Sequence, residues 1–174
     1  MASTATLVSL DEYLHTTYRP DRDYLEGELL ERNMGEQSHA RVQLIIAKVF
    51  DMHRKSWGVR VSVELRVQVR EERFRIPDVC VLRQADAFEE IVRKAPLLCI
   101  EVLSSGDTVR SVQERANDYA AMGVEHIWIL DPWIRVGYYA SARGFLQPED
   151  GVLRIDGTAI AVSLAEVFAE LDED

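Results

Sequence analysis

The apolar positions along this chain change period several times, and each change marks the end of one element and the start of another. Ser9 followed by Glu12 is a capping-box pattern opening a short helix that carries Leu10, Tyr13 and Leu14. Tyr24-Leu25 and Leu29-Leu30 flank Glu26-Gly27-Glu28, which predicts two short strands turning at the glycine. From Gln37 to Trp57 the residues Val42, Ile45, Ile46, Val49, Phe50 and Trp57 keep a helical period, predicting the first long helix. Strict alternation from Val59 to Val69 then predicts one strand with a single buried face, and Phe74 to Leu82 its hairpin partner. A helical stretch is expected at 85–93. Leu97 to Leu103 is apolar on both faces, as a central strand requires. After the break at Ser104-Ser105-Gly106-Asp107, Val109, Val112, Ala116, Tyr119 and Ala120 mark a second long helix stopped by Gly123. Glu125 to Leu130 is a further strand. Short antiparallel strands follow at 134–140, 144–147 and 151–155, with a closing helix from Ser163.

The order helix, three strands, helix, strand predicts a mixed α/β (α+β) sheet with helices packed against it. With 174 residues and 47% hydrophobic positions, the chain is expected to form one domain over 1–174, large enough to fold without disulfides or structural zinc. Cys80 and Cys99 stand in apolar runs, where buried, reduced thiols are expected. No apolar run is long enough to span a membrane and the first residues lack a signal-peptide pattern, so a cytoplasmic protein is expected. The 30 acidic residues outnumber 20 Lys and Arg, which argues against broad, non-specific nucleic-acid binding.

Two carboxylates do not fit a core. Asp78 is in step with Phe74, Ile76, Cys80 and Leu82, and Glu101 with Leu97, Cys99 and Leu103. An isolated charge there costs several kcal/mol or more, so each acid must be protonated, paired with a cation or bound to a metal. Two carboxylates on neighbouring strands suit Mg²⁺, which takes one or two such ligands and keeps its waters. The alternative is a buried ion pair with an arginine such as Arg75 or Arg115. Pro77, lacking an N–H, predicts irregular backbone just before Asp78.

The segments Arg75-Ile76-Pro77-Asp78-Val79, Ile100-Glu101-Val102-Leu103-Ser104 and Tyr119 to Pro132, with Leu25 to Leu29 and Ser38-His39 upstream, resemble the Uma-type endonuclease family of the PD-(D/E)xK superfamily. The resemblance implies a restriction-endonuclease-like αβββαβ core with an N-terminal hairpin and C-terminal antiparallel strands. It further implies Mg²⁺-dependent (or Mn²⁺-dependent) hydrolysis of DNA, with Asp78 and Glu101 as catalytic acids and metal ligands and Glu28 as a third acidic candidate. Leu103 stands where the superfamily lysine would be, and the Uma-type position for it, four residues before Tyr119, holds Arg115. Arginine stabilises a developing phosphorane but cannot deprotonate water.

On an ideal helix the apolar stripe centres near Val112 to Ala116, with Gln113 roughly 60° and Arg115 roughly 100° away. Gln113 is therefore expected closer to the sheet, placing a water. Arg115 is expected to meet substrate phosphate or pair with an acid, the alternative being a surface pair with Asp118 or Glu114. His39 can reach the site from the first long helix, the alternative being a satisfied boundary histidine, and His53 is expected in the core. A non-catalytic binding or assembly module keeping the nuclease fold is the alternative function, and action on a substrate other than duplex DNA a third. Ile134, Val136, Tyr138 and Tyr139 offer a face for a homodimer, which would suit cutting two strands.

Overall fold

A computed structural model describes residues 7–32 and 36–173. Its centre is a six-stranded mixed sheet in the order β10-β9-β8-β7-β6-β3, formed by β3 (Val59–Val63), β6 (Val79–Arg83), β7 (Leu98–Val102), β8 (His126–Asp131), β9 (Val136–Ser141) and β10 (Gly144–Leu146). Only β7 and β8 run parallel, and α4 (Val109–Met122) is the crossover that parallel neighbours require. A second sheet, β2-β1-β5-β4, joins β1 (Asp23–Leu25), β2 (Glu28–Leu30), β4 (Val67–Arg70) and β5 (Arg73–Arg75). β11 (Val152–Arg154) pairs with β12 (Ala161–Ser163), followed by α5 (Leu164–Asp172). With α2 (Gln37–Met52) in front, α2-β3-β6-β7-α4-β8 reproduces the expected αβββαβ order.

Period-two side-chain alternation divides the core between the two faces of the large sheet. Val79, Val81, Leu98, Ile100, Trp128 and Leu130 face Val42, Ile45, Ile46 and Phe50 of α2 and the apolar side of α5. Cys80, Cys99 and Ile127 face Ala116 and Tyr119 of α4. Both cysteines are buried free thiols, opposite one another in register.

Four expected elements differ. The alternation from Val59 to Val69 spans two strands in different sheets, broken at Glu64, whose φ of 51° turns the chain out of one ladder into the other. Phe74 to Leu82 is likewise two strands. Pro77 cannot donate, the ladder stops at Arg75, and Phe74 packs instead with Tyr13 and Tyr24, beside α1 (Leu10–His15). No helix forms at 85–93, because Val92 bridges to Val67, donating to Arg66 O (2.9 Å) and accepting from Gln68 N–H (2.9 Å). The first long helix also ends early, at Met52, with α3 (Arg54–Trp57) separate; His53 is exposed there, stacked on Trp57 at 4.4 Å, not in the core. No helix among the described residues is long and apolar enough to cross a membrane.

Candidate active site

Register brings the two acids together. Val79 pairs with Ile100 in the antiparallel β6–β7 ladder, so one step further along Asp78 stands opposite Glu101. Both are buried, at 2% and 4% exposure, in a wall of a cavity of about 250 Å³. The irregular backbone that Pro77 predicts is present, and it is pinned: Asp78 O accepts from Gln43 Nε2 (3.0 Å) and from Glu64 N–H (3.3 Å). The freed side chain is directed into the cavity, where Oδ2 accepts from Val102 N–H at 2.7 Å and lies 3.3 Å from His39 Nε2. Oδ1 accepts from the Arg32 guanidinium.

Helix α4 supplies the partners of Glu101. Thr108 caps it reciprocally with Ser111, which fixes the first turn. One and two turns on from Ser111, Arg115 Nε lies 2.9 Å from Glu101 Oε2, and Tyr119 Oη donates to Oε1 at 2.6 Å. Arg115 Nη2 donates to Asp107 Oδ1 at 2.8 Å, and Asp107 Oδ2 is held by Ser104 N–H and Oγ, both at 2.9 Å. The guanidinium is therefore oriented from behind. Its Nε is buried and, although in ion-pair contact with Glu101, is not aimed well enough at any acceptor for a hydrogen bond.

The environments drive the acids apart. Burial alone would raise the pKa of Asp78, but His39, Arg32 and the Val102 N–H outweigh it and hold the carboxyl below its ordinary value. Burial, with the charge of Asp78 beside it, pushes Glu101 up to about 7 despite Arg115. Burial also opposes charge on His39, and its bond to Asp78 overcomes this, raising its pKa.

A second network of paired charges begins in the cavity wall and runs back from it. Arg75 Nη1 donates to Asp23 Oδ2 (2.8 Å) and Nε to Asp118 Oδ2 (2.7 Å), while Asp23 Oδ1 accepts from Ile76 N–H (3.1 Å). Arg73 Nη1 joins Asp118 at 3.0 Å and its other nitrogens bind Glu26. These bonds tie the β1–β2 hairpin, the Ile76-Pro77-Asp78 segment and α4 into one unit.

The model of the Uma2 family, described as "putative restriction endonuclease", matches residues 10–139. The chain belongs to the Uma2 family. Among solved structures, "a putative nuclease belonging to DUF820" from Anabaena variabilis ATCC 29413 is similar over 94% of this chain and 99% of its own, with a TM-score of 0.80 and 21% identity. The restriction-endonuclease-like fold is thus shared. No curated protein matches the chain.

Within this Uma2 site, Asp78, Glu101, Arg115 and His39 are brought together as the sequence suggests, though with different partners. Arg75 serves Asp23 and Asp118, not Asp78, and Arg115 pairs with Glu101 and Asp107, not with Asp118 or Glu114. Two candidates fall outside. Glu28 points to solvent on β2, whose outward positions are Glu28 and Leu30. Gln113 is turned away, its amide donating to Asn117 Oδ1 (2.9 Å) and to Ser141 O (2.8 Å).

The rotation of α4 explains the second miss. Val109 is 77% exposed and Asp118 is buried, so the buried arc centres nearer Tyr119 than the apolar residues alone imply. That shift brings Arg115 within roughly 40° of the arc and leaves Gln113 more than roughly 100° away. Arg32 and Asp107 were not anticipated at all, since both lie on irregular segments where no period points anywhere.

Among the described residues, no three His, Cys, Asp or Glu side chains converge on one metal position. Two carboxylates of one cavity nevertheless fit a Mg²⁺-type ion, which needs only one or two and keeps its waters.

Proposed function

We propose that this chain is a nuclease that hydrolyses phosphodiester bonds of DNA with Mg²⁺ or Mn²⁺ held by Asp78 and Glu101. The observation carrying this reading is the meeting of those two buried acids, Glu101 on β7 and Asp78 just before β6, in one cavity that also holds Arg115. When bound, the dication supplies Lewis acidity toward the phosphodiester and an acidified water. The protein's own groups do the rest. Tyr119 Oη fixes one oxygen of Glu101, so the carboxylate cannot rotate. Asp107 holds the Arg115 guanidinium in the cavity wall, where its positive charge stabilises a phosphoryl oxygen that gains charge in the transition state. Arg115 keeps its proton throughout, so it stabilises charge and takes no part in deprotonating water.

A second reading has two observations in its favour. Arg32 pairs with Asp78 and Arg115 with Glu101, as salt-bridge partners would in a binding or assembly module that keeps the nuclease fold. Incubation of plasmid DNA with MgCl₂ or MnCl₂ separates the two. Metal-dependent nicking that is lost in Asp78→Asn, with the fold intact by circular dichroism, is expected. A protein that neither nicks DNA nor shifts its melting temperature with either cation is the non-catalytic module.

A further inference from the structure

The carboxylate of Asp78 is fully engaged by the chain itself. On Oδ2, the Val102 N–H belongs to a central strand and His39 to the first turn of a sixteen-residue helix, so neither withdraws without moving its element. On Oδ1 the partner is of another kind. Arg32 follows β2 on irregular backbone and reaches Asp78 through a long, rotatable side chain. A second anion lies within its reach, because Arg32 Nη1 is 4.0 Å from Glu64 Oε1, a side chain 38% exposed at the left-handed turn between β3 and β4. A cation entering the cavity at Asp78 thus meets two partners that stay and one that can leave for Glu64.

We propose that Arg32 is a tethered cation that competes with the dication for Asp78 and thereby sets the metal affinity of the site. This rests on the reading of Asp78 as a metal ligand. Without metal, the guanidinium neutralises the buried carboxylate at Oδ1, which His39 and Val102 leave to it. With metal, the two cations cannot share Oδ1, and each repels the other across the few ångströms between them. The affinity measured for the ion is the intrinsic affinity reduced by whatever holds Arg32 in place. The competition also disfavours a single charge, since only a divalent ion outbids a guanidinium already in contact.

Isothermal titration of MgCl₂ and MnCl₂ into the DNA-free protein tests this without any turnover. Arg32→Gln is expected to bind either ion at least about tenfold more tightly than wild type, from the loss of one positive charge beside the ion. Arg32→Lys keeps the charge and is expected to stay within about threefold of wild type. In EDTA the glutamine variant should melt below wild type, because Asp78 has lost its partner, and MgCl₂ should raise its melting temperature more than that of wild type. Should it be unfolded in EDTA, MgCl₂ is expected to restore a melting transition, and failure to do so overturns the proposal. Equal or weaker ion binding by Arg32→Gln, or equal tightening in Arg32→Lys, overturns it while leaving the metal-dependent reading in place. Absence of ion binding in all three proteins overturns both.

Discussion

Asp118 is a carboxylate whose removal measures how firmly the two sheets are locked together. It lies on α4 at 3% exposure, accepts from Arg75 Nε at 2.7 Å and from Arg73 Nη1 at 3.0 Å, and has Arg70 at 3.8 Å. Asp118→Asn keeps the volume and one carbonyl acceptor but removes the charge. Taking one partner from a buried ion pair generally costs about 3–5 kcal/mol, because the other charge is left uncompensated. Here the loss is partly made good, since Arg75 keeps Asp23 and Arg73 keeps Glu26. A destabilisation of about 2–3 kcal/mol is therefore expected, equivalent to a fall in melting temperature of about 5–10 °C for a chain of this size. Arg110→Gln is the control, because its pair with Glu114 is 89% exposed on the arginine side and contributes at most a few tenths of a kcal/mol. Both are read by urea denaturation at pH 7 in EDTA. A loss below about 1 kcal/mol for Asp118→Asn, or equal losses for the two variants, refutes the argument that desolvation makes this network matter.

Glu101, pushed up to about 7 from an ordinary 4.5, binds more protons folded than unfolded between those values. Its contribution to stability is thus present below about pH 4.5 and lost as pH rises through 7, on the order of 3 kcal/mol; Glu101→Gln in EDTA should flatten that part of the stability–pH curve, and an unchanged slope would rule the shift out. Tyr119→Phe removes the 2.6 Å bond to a buried carboxylate and should cost about 1–3 kcal/mol in a thermal melt, with metal affinity falling as Glu101 gains freedom. At Gly137, a Cβ would sit 2.7 Å and 3.0 Å from the two Cδ atoms of Leu164 and 3.1 Å from Leu153 Cδ1, so Gly137→Ala should destabilise by about 1–3 kcal/mol, a neutral result showing that α5 yields more readily than its packing implies.

What could be read in advance followed from contrast against a period. Asp78 and Glu101 stood out because each interrupts an apolar face, and the structure buries both. Even so, the reason for Asp78 was incomplete: the face counted from Phe74 runs across a break, and it is the loss of regular backbone at Pro77 that frees the side chain. Counting along α4 was misled by Val109, which belongs to the exposed first turn, and by Asp118, a charge buried because two arginines from the other sheet meet it. Such a residue looks like surface until its partners are known. Of the residues expected on a dimer face, Ile134 is exposed and Val136, Tyr138 and Tyr139 are half-buried, Tyr139 packing partly on the core and donating to Val152 O, and Tyr138 lying against Phe145. Arg32 and Asp107 had no period to contradict, so tertiary contacts alone place them.

The charge of the cavity sets an order of events for the proposed reaction. Six carboxylates line it, among them Asp23, Glu31, Asp107 and Glu114 besides the two acids, against the guanidiniums of Arg32, Arg75 and Arg115. The chain as a whole carries a formal charge of -10. A surplus of this sign draws dications in and repels a phosphodiester, so the polyanion gains a favourable site only after a dication is bound. Fluorescence anisotropy with a labelled duplex, using Ca²⁺ to hold the dication position without turnover, should show binding at least about tenfold weaker in EDTA than in Ca²⁺. Asp78→Asn should lose most of that difference, because the dication no longer has its first ligand. Duplex binding of equal strength with and without the cation would mean that DNA approaches through some other surface, and the cavity would then no longer be where the backbone is read.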